Sequence, residues 1–146
     1  ALDLANTGMV VTLDCGNASD IHPRAKQPVG ARLALLARKH HYGDDVVSCG
    51  PRVVAASRDG ARVILRIEEH GGSGVELVHG GVGFELAGSD GVYHKAEARL
   101  EKGQLQVSAS AVTEPRHVRY AWSAVPEWSL INHVGLPGQP FRLEVQ

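Results

Sequence analysis

Hydrophobic and polar residues alternate with a period of two along most of the chain beyond residue 46. Runs of this kind are typical of half-buried β-strands. Two pairs of runs flank Asp59-Gly60 and Asp90-Gly91, and Asp-Gly between apolar runs is typical of a tight hairpin. The predicted strands lie at 53–57, 62–67, 83–87, 92–100, 105–109, 118–122 and 141–145. Short strands separated by Gly-rich turns predict an antiparallel β-sandwich of jelly-roll type for residues 46–146.

The first part of the chain has a different pattern. Met9 to Asp14 is an apolar run without alternation, which favours a strand buried on both faces, as in a parallel sheet. A polar loop, 15–26, follows it, and a helix is predicted to open at Pro28 and to stop near Gly43. The predicted buried side of that helix carries Val29, Leu33, Leu36 and His40.

One strand and one helix cannot close an α/β domain, because a strand that is apolar on both faces needs neighbours and covering layers. Either the β domain covers this segment, or the rest of the sheet lies in another polypeptide or in a preceding region. We favour the second interpretation. The predicted fold class is thus α/β plus all-β, with residues 1–45 as the last strand, loop and helix of an α/β domain and 46–146 as the β-sandwich.

Composition narrows the function classes. Of 146 residues, 15 are Lys or Arg and 16 are Asp or Glu. The net charge of −1 therefore lacks the positive excess that is typical of proteins that bind nucleic acid or anionic lipid. No apolar stretch is long enough to predict a membrane span. The eight histidines and two cysteines lack the spacing of a metal site, so we expect no metal or cofactor. Cys15 and Cys49 could pair or remain buried thiols, and the predicted strand position of Cys15 favours a thiol.

The loop 15–26 holds the candidate chemistry. It leaves the carboxyl end of the predicted strand, where open α/β sheets place active sites. Asp20 stands two residues before His22, and a carboxylate can orient an imidazole and stabilise its protonated form. The alternative is that Asp20 and His22 form an exposed ion pair or a turn, as such residues often do in polar loops.

Several short motifs follow one another along essentially the whole chain in the order in which a known family has them. They are Gly8 to Asp14; Asp20-Ile21-His22-Pro23; Lys26-Gln27 with Val29, Gly30, Arg32, Leu33 and Ala34; Ser48, Gly50 and Pro51; Gly83 to Gly88 with Asp90-Gly91; Val118 to Trp122; Asn132 with Gly135-Leu136-Pro137; and Pro140-Phe141-Arg142. With these blocks the chain resembles the C-terminal part of the sialate O-acetylesterases, which belong to the SGNH group of carbohydrate esterases.

The resemblance implies a Ser-His-Asp mechanism without a metal. His22 would be the general base and then the acid, and Asp20 would orient it. Many SGNH enzymes place the Asp three residues before the His, where this chain has Ser19, so Asp20 and the strand-end Asp14 both stay open as the orienting carboxylate. The family nucleophile sits in a Gln-Ser-Asn block that this chain lacks, and the Gly-flanked Ser73 and Ser89 lack the pattern of a nucleophile elbow.

We therefore expect a serine-type carbohydrate O-acetylesterase that is incomplete in this chain alone. Its substrate would be an O-acetylated sugar, and its partner would be an N-terminal region or companion chain that carries the serine. By resemblance, the protein would be secreted or periplasmic, or lysosomal in a eukaryote. The alternative is a non-catalytic β-sandwich that binds glycans or packs as an accessory domain.

Overall fold

The computed structural model describes residues 4–68 and 74–146, and antiparallel β-strands make up most of the regular secondary structure there. The elements are α1 (Gln27–His40), β1 (Arg52–Asp59), β2 (Arg62–Glu68), β3 (Val75–Leu77), β4 (Phe84–Ala87), β5 (Tyr93–Glu101), β6 (Gln104–Ser108), β7 (His117–Tyr120), β8 (Leu130–Asn132) and β9 (Phe141–Glu144). A short 3-10 helix spans His79–Gly81. The predicted hairpins at Asp59-Gly60 and Asp90-Gly91 are confirmed as β1–β2 and β4–β5. Strands β3 and β8 were not predicted from the pattern.

Seven strands form one sheet in the order β1-β2-β6-β5-β4-β7-β9, and β3 pairs with β8 in a separate ribbon. The sheet curves until its two edges meet: the Arg58 N–H donates to the Gln146 carbonyl at 2.9 Å, and the Gln146 N–H donates to the Ala56 carbonyl at 3.0 Å. The result is a nearly closed barrel, and this all-β architecture fits the sandwich class that the alternation predicts.

The inner face of the curved sheet holds the core. Phe84, Tyr120 and Phe141 occupy opposed positions on three neighbouring strands, with ring centroids 4.5 Å apart for Phe84–Tyr120 and 5.8 Å for Tyr120–Phe141. Aliphatic residues from the remaining strands surround these rings. The Tyr120 hydroxyl accepts hydrogen bonds from the Ser129 and Leu130 N–H groups at 2.9 and 2.8 Å, which fixes the start of β8 against the core.

Trp122 departs from its predicted place. The alternation at 118–122 predicts that Tyr120 and Trp122 share a buried strand face, and Tyr120 is fully buried. However, β7 ends at Tyr120, and Ala121 adopts a left-handed backbone with φ of 51°. This turn breaks the period of two, so Trp122 is 48% exposed and the prediction is wrong for it.

Helix α1 forms where it is predicted. Pro28 occupies the first turn, and Gly43 follows the helix with φ of 76°, while the Asp44 N–H donates to the Arg38 carbonyl at 2.9 Å. The predicted buried side is only partly correct, because Leu36 is buried but Leu33 and His40 are exposed. The helix has a protein layer on one side alone, so half of its apolar positions face outward.

The predicted strand at 9–14 is not formed. The segment has no regular secondary structure up to a turn at 13–15, and Met9 is exposed. A strand needs a hydrogen-bonded neighbour, and no strand in residues 4–68 or 74–146 pairs with this segment. Of the predicted α/β layer, the described residues contain the helix only.

The first segment nonetheless rests on the β domain. Leu13 packs against the edge of the core. The Asn132 side chain holds the entry to the β domain, because its amide donates to the Cys49 carbonyl at 3.0 Å and its Oδ1 accepts the Leu136 N–H at 2.8 Å. Gly50 lies so close to Pro137 that a Cβ there would stand 2.0 Å from the Pro137 carbonyl oxygen. This close approach fixes the point at which the chain passes from residues 4–45 into the barrel.

Candidate active-site loop and its surroundings

The loop 15–26 is organised by two side chains that cap its own backbone. Asn17 Oδ1 accepts hydrogen bonds from the Ser19 N–H at 3.0 Å and from the Ser19 hydroxyl at 2.9 Å. Asp20 Oδ1 accepts the His22 N–H at 2.8 Å. Such turns are the usual local use of Asn and Asp in loops, and they hold a short segment in one conformation without regular secondary structure.

Asp20 and His22 are therefore brought together, but the group of His22 that contacts the Asp20 carboxylate is its backbone N–H. The Asp20 carboxylate caps the turn, and no side chain in the described ranges hydrogen-bonds to the His22 imidazole. Both residues are exposed, and Ile21 between them is 90% exposed. Pro23 restricts His22 to extended backbone conformations. The arrangement presents an imidazole with an adjacent carboxylate on an open surface.

A second cluster, which the sequence analysis missed, lies where the first segment meets α1. The Arg32 guanidinium binds both carboxylate oxygens of Asp14, with Nη1 2.7 Å from Oδ1, and Nη1 also donates to the Val11 carbonyl at 2.7 Å. Arg32 is only 7% exposed. The signal in the sequence was an arginine one position from the apolar stripe of α1.

Electrostatics in this cluster favour a structural ion pair. Hydrogen bonds from Arg32 lower the pKa of Asp14, and the bonds from Asp14 raise the pKa of Arg32, so both groups stay charged. With both of its oxygens bound to Arg32, Asp14 anchors the segment to the helix. Burial raises the pKa of the Cys15 thiol beside them, which disfavours the nucleophilic thiolate. Cys15 and Cys49 are both free thiols, so they do not pair here.

The serines offer no local nucleophile in the part of the chain that the structure describes. Ser89 is exposed in the turn between β4 and β5, and Ser129 is buried and donates to the Val82 carbonyl at 2.6 Å. Across residues 4–68 and 74–146, no serine hydroxyl hydrogen-bonds to a histidine. Ser73 lies outside the described residues.

Within residues 4–68 and 74–146, no group of three His, Cys, Asp or Glu side chains converges in a way that could hold a metal ion. No helix there is both long and apolar enough to cross a bilayer.

Several large apolar side chains of the first segment are exposed. Within residues 4–45 they are Leu4, Met9, Ile21, Leu33 and Tyr42. The described part of this chain leaves all five open to solvent.

Comparison with known proteins relates the chain to a solved structure. No protein-family model matches the chain, and no curated protein does. A solved structure, the crystal structure of a carbohydrate acetylesterase from Xanthomonas citri, matches with 41% sequence identity and a TM-score of 0.89. The match covers 97% of this chain but 33% of that protein, so this chain spans about a third of its length. The chain is thus similar in sequence and fold to one part of a carbohydrate esterase.

Proposed function

We propose that this chain is the C-terminal part of a carbohydrate O-acetylesterase of the sialate O-acetylesterase type. The observation that carries the proposal is the similarity to a carbohydrate acetylesterase over nearly the whole of this chain. That neighbour is about three times longer, which leaves room for a serine and an oxyanion hole outside the matched third. The SGNH-type assignment rests on the motifs around Asp20 and His22.

The domain division follows from the same reasoning. Residues 1–45 would be the last segment of an SGNH-like α/β catalytic domain, and 46–146 the β-domain that supports it. The uncovered apolar side chains of 4–45 are what an incomplete domain would expose, since burying each large one is worth about 1.5–3 kcal/mol. A preceding region or companion chain would cover them and would place its sheet beside residues 9–14.

In the completed site, His22 would act on a serine of that other part. The serine Oγ attacks the acetyl carbonyl while its proton passes to the His22 imidazole, and the C–O bond to the sugar breaks as His22 returns the proton to the sugar oxygen. A water molecule then repeats the attack, and acetate leaves. Asp20 would orient His22 once the loop is covered, because it already lies beside it. The substrate would be an O-acetylated sugar.

The test is substitution in the complete enzyme, assayed with an aryl acetate. His22→Ala should lower kcat/KM about a thousandfold or more, since the base and acid are lost together. The matched control is His41→Ala, an exposed histidine just after α1, which should stay within about threefold of wild type. A His22→Ala enzyme within tenfold of wild type would contradict the catalytic assignment.

Two further measurements separate the parts of the proposal. Asp20→Asn and Asp14→Asn distinguish the two carboxylates. Substitution of the orienting residue should lower kcat and leave the folding stability unchanged, whereas substitution of a residue in a structural ion pair should lower the folding stability first. The 146-residue chain alone should not hydrolyse the aryl acetate. Activity from it would refute the split site. Export to the periplasm or the medium is the location expected for this function.

A further inference from the structure

A cleft of about 450 Å³ opens where β4 begins and β7 ends, on the β domain and away from the candidate loop. It is lined by Val82 to Glu85, Lys95, Ala96, Ala121 to Ser123, Val125 and Glu127. The volume is within the range of small-molecule sites, roughly 300–1,000 Å³. None of the exposed apolar residues of 4–45 lines it.

An exposed indole dominates the wall of this cleft. Trp122 is 48% exposed, whereas Trp128, the other tryptophan, is half-buried and packs edge-on against His79. The left-handed Ala121 turns Trp122 outward, and the Ala121 N–H is fixed by the Gly83 carbonyl at 2.9 Å. Left-handed backbone is unfavourable for a residue with a Cβ and is concentrated at functional sites.

The polar groups of the cleft are held in place by partners. Arg119 binds Glu85 through two hydrogen bonds of 2.8 and 3.1 Å, and its guanidinium lies 3.8 Å from the centre of the Tyr93 ring. Lys95 donates to Glu127 at 2.9 Å. Carboxylates held in this way keep lone pairs available to hydroxyl donors.

We propose that this cleft binds a neutral sugar unit of a polysaccharide, with its pyranose ring against Trp122 and its hydroxyls on Glu85 and Glu127. An aromatic face with fixed polar groups beside it combines apolar contact with orientation. Both nearby cations already pair with carboxylates, so these two pairs leave no net positive charge to attract an anionic sugar. The cleft therefore selects neutral over sialylated sugars. This site does not depend on the esterase proposal, because it contains neither Asp20 nor His22.

The direct test is calorimetric titration of the 146-residue chain with cellohexaose, xylohexaose and maltohexaose, and with sialyllactose as the anionic comparison. We expect at least one neutral oligosaccharide to bind with a Kd near or below about 1 mM. Trp122→Ala should weaken that affinity roughly tenfold or more, because the ring contact is lost. Tyr42→Ala, which removes another exposed aromatic ring outside the cleft, should leave it within about twofold.

A second readout keeps Trp122 in place. The chain has two tryptophans, so in Trp128→Phe all indole fluorescence comes from Trp122, and sugar binding should shift its emission to the blue. Saturable binding with this shift supports the proposal. The proposal is overturned if no neutral oligosaccharide binds at about 10 mM, if Trp122→Ala and Tyr42→Ala bind equally, or if sialyllactose binds more tightly. Because no acetyl group is cleaved, these outcomes are independent of the His22 experiment.

Discussion

Replacing Tyr120 by Phe removes one hydroxyl group while keeping the aromatic ring that packs between Phe84 and Phe141. The hydroxyl accepts two backbone N–H groups, those of Ser129 and Leu130, and both of these residues are fully buried. Neither donor can reach water in the substituted protein. The substitution therefore isolates the effect of leaving two buried donors without an acceptor, with little change in core volume.

The expected magnitude follows from the number of orphaned donors. Each buried donor without a partner destabilises by about 1–3 kcal/mol, so Tyr120→Phe should lower the free energy of unfolding by about 2–6 kcal/mol. That is a large share of the 5–15 kcal/mol typical of a domain. With a urea m-value of about 2 kcal/mol/M, the midpoint should fall by about 1–3 M. Burial also raises the pKa of Tyr120, so its hydroxyl stays neutral at the pH of the assay.

The other two tyrosines of the chain provide matched controls. Tyr42 is 71% exposed, so Tyr42→Phe should change the unfolding free energy by less than about 0.5 kcal/mol. The Tyr93 hydroxyl is buried with no hydrogen-bond partner in the described residues, so Tyr93→Phe should be neutral or stabilising. Urea unfolding followed by circular dichroism measures all three. Equal losses for Tyr120→Phe and Tyr42→Phe would refute the reasoning.

Two other predictions concern the first segment and its junction. Arg32 lowers the pKa of Asp14 from its ordinary 3.8, so their pairing stabilises the fold above that pH and is lost as pH falls through the lowered value. The free energy of unfolding should exceed that of Asp14→Asn by about 1–3 kcal/mol at pH 7. In urea unfolding this difference should shrink as the pH is lowered below 3.8, and a constant difference would contradict the reasoning. Gly50→Ala should destabilise the fold by about 3 kcal/mol or more, since its Cβ would meet Pro137 at 2.0 Å. The control Gly30→Ala has open space in α1 and should stabilise the fold by about 1 kcal/mol. If thermal melts shift the melting temperature in the same direction for both variants, the close approach at Gly50 is refuted.

The β domain was largely predictable because local signals agree with tertiary packing there. Asp59-Gly60 and Asp90-Gly91 mark turns that the structure forms, and the alternation in β2 and β6 places Val63, Leu65 and Val107 inward. The short β3 and β8 carry three residues each, too few for a period to be read. Trp122 was misplaced because one left-handed residue before it reverses the alternation, and alanine gives no signal of such a conformation.

The candidate site was predictable only in part. The proximity of Asp20 and His22 follows from their spacing. That the Asp20 carboxylate accepts the His22 backbone N–H depends on loop geometry, which spacing alone does not predict. Met9 to Asp14 has the composition of a buried strand, yet a strand forms only with a partner, and the described chain offers none. Under the proposed function, another part of the protein would supply that partner.

The hydrogen bonds between Gln146 and residues 56 and 58 have a kinetic consequence. They join β1 to the neighbourhood of β9 across about 90 residues of chain, so the step that seals the sheet requires a large loop to close. Proteins dominated by such distant pairings fold in milliseconds to seconds, more slowly than those built from local contacts. Until that step, β1 and β9 are two unpaired edges available to a neighbouring molecule, and the seam between them protects the folded protein from edge-to-edge association.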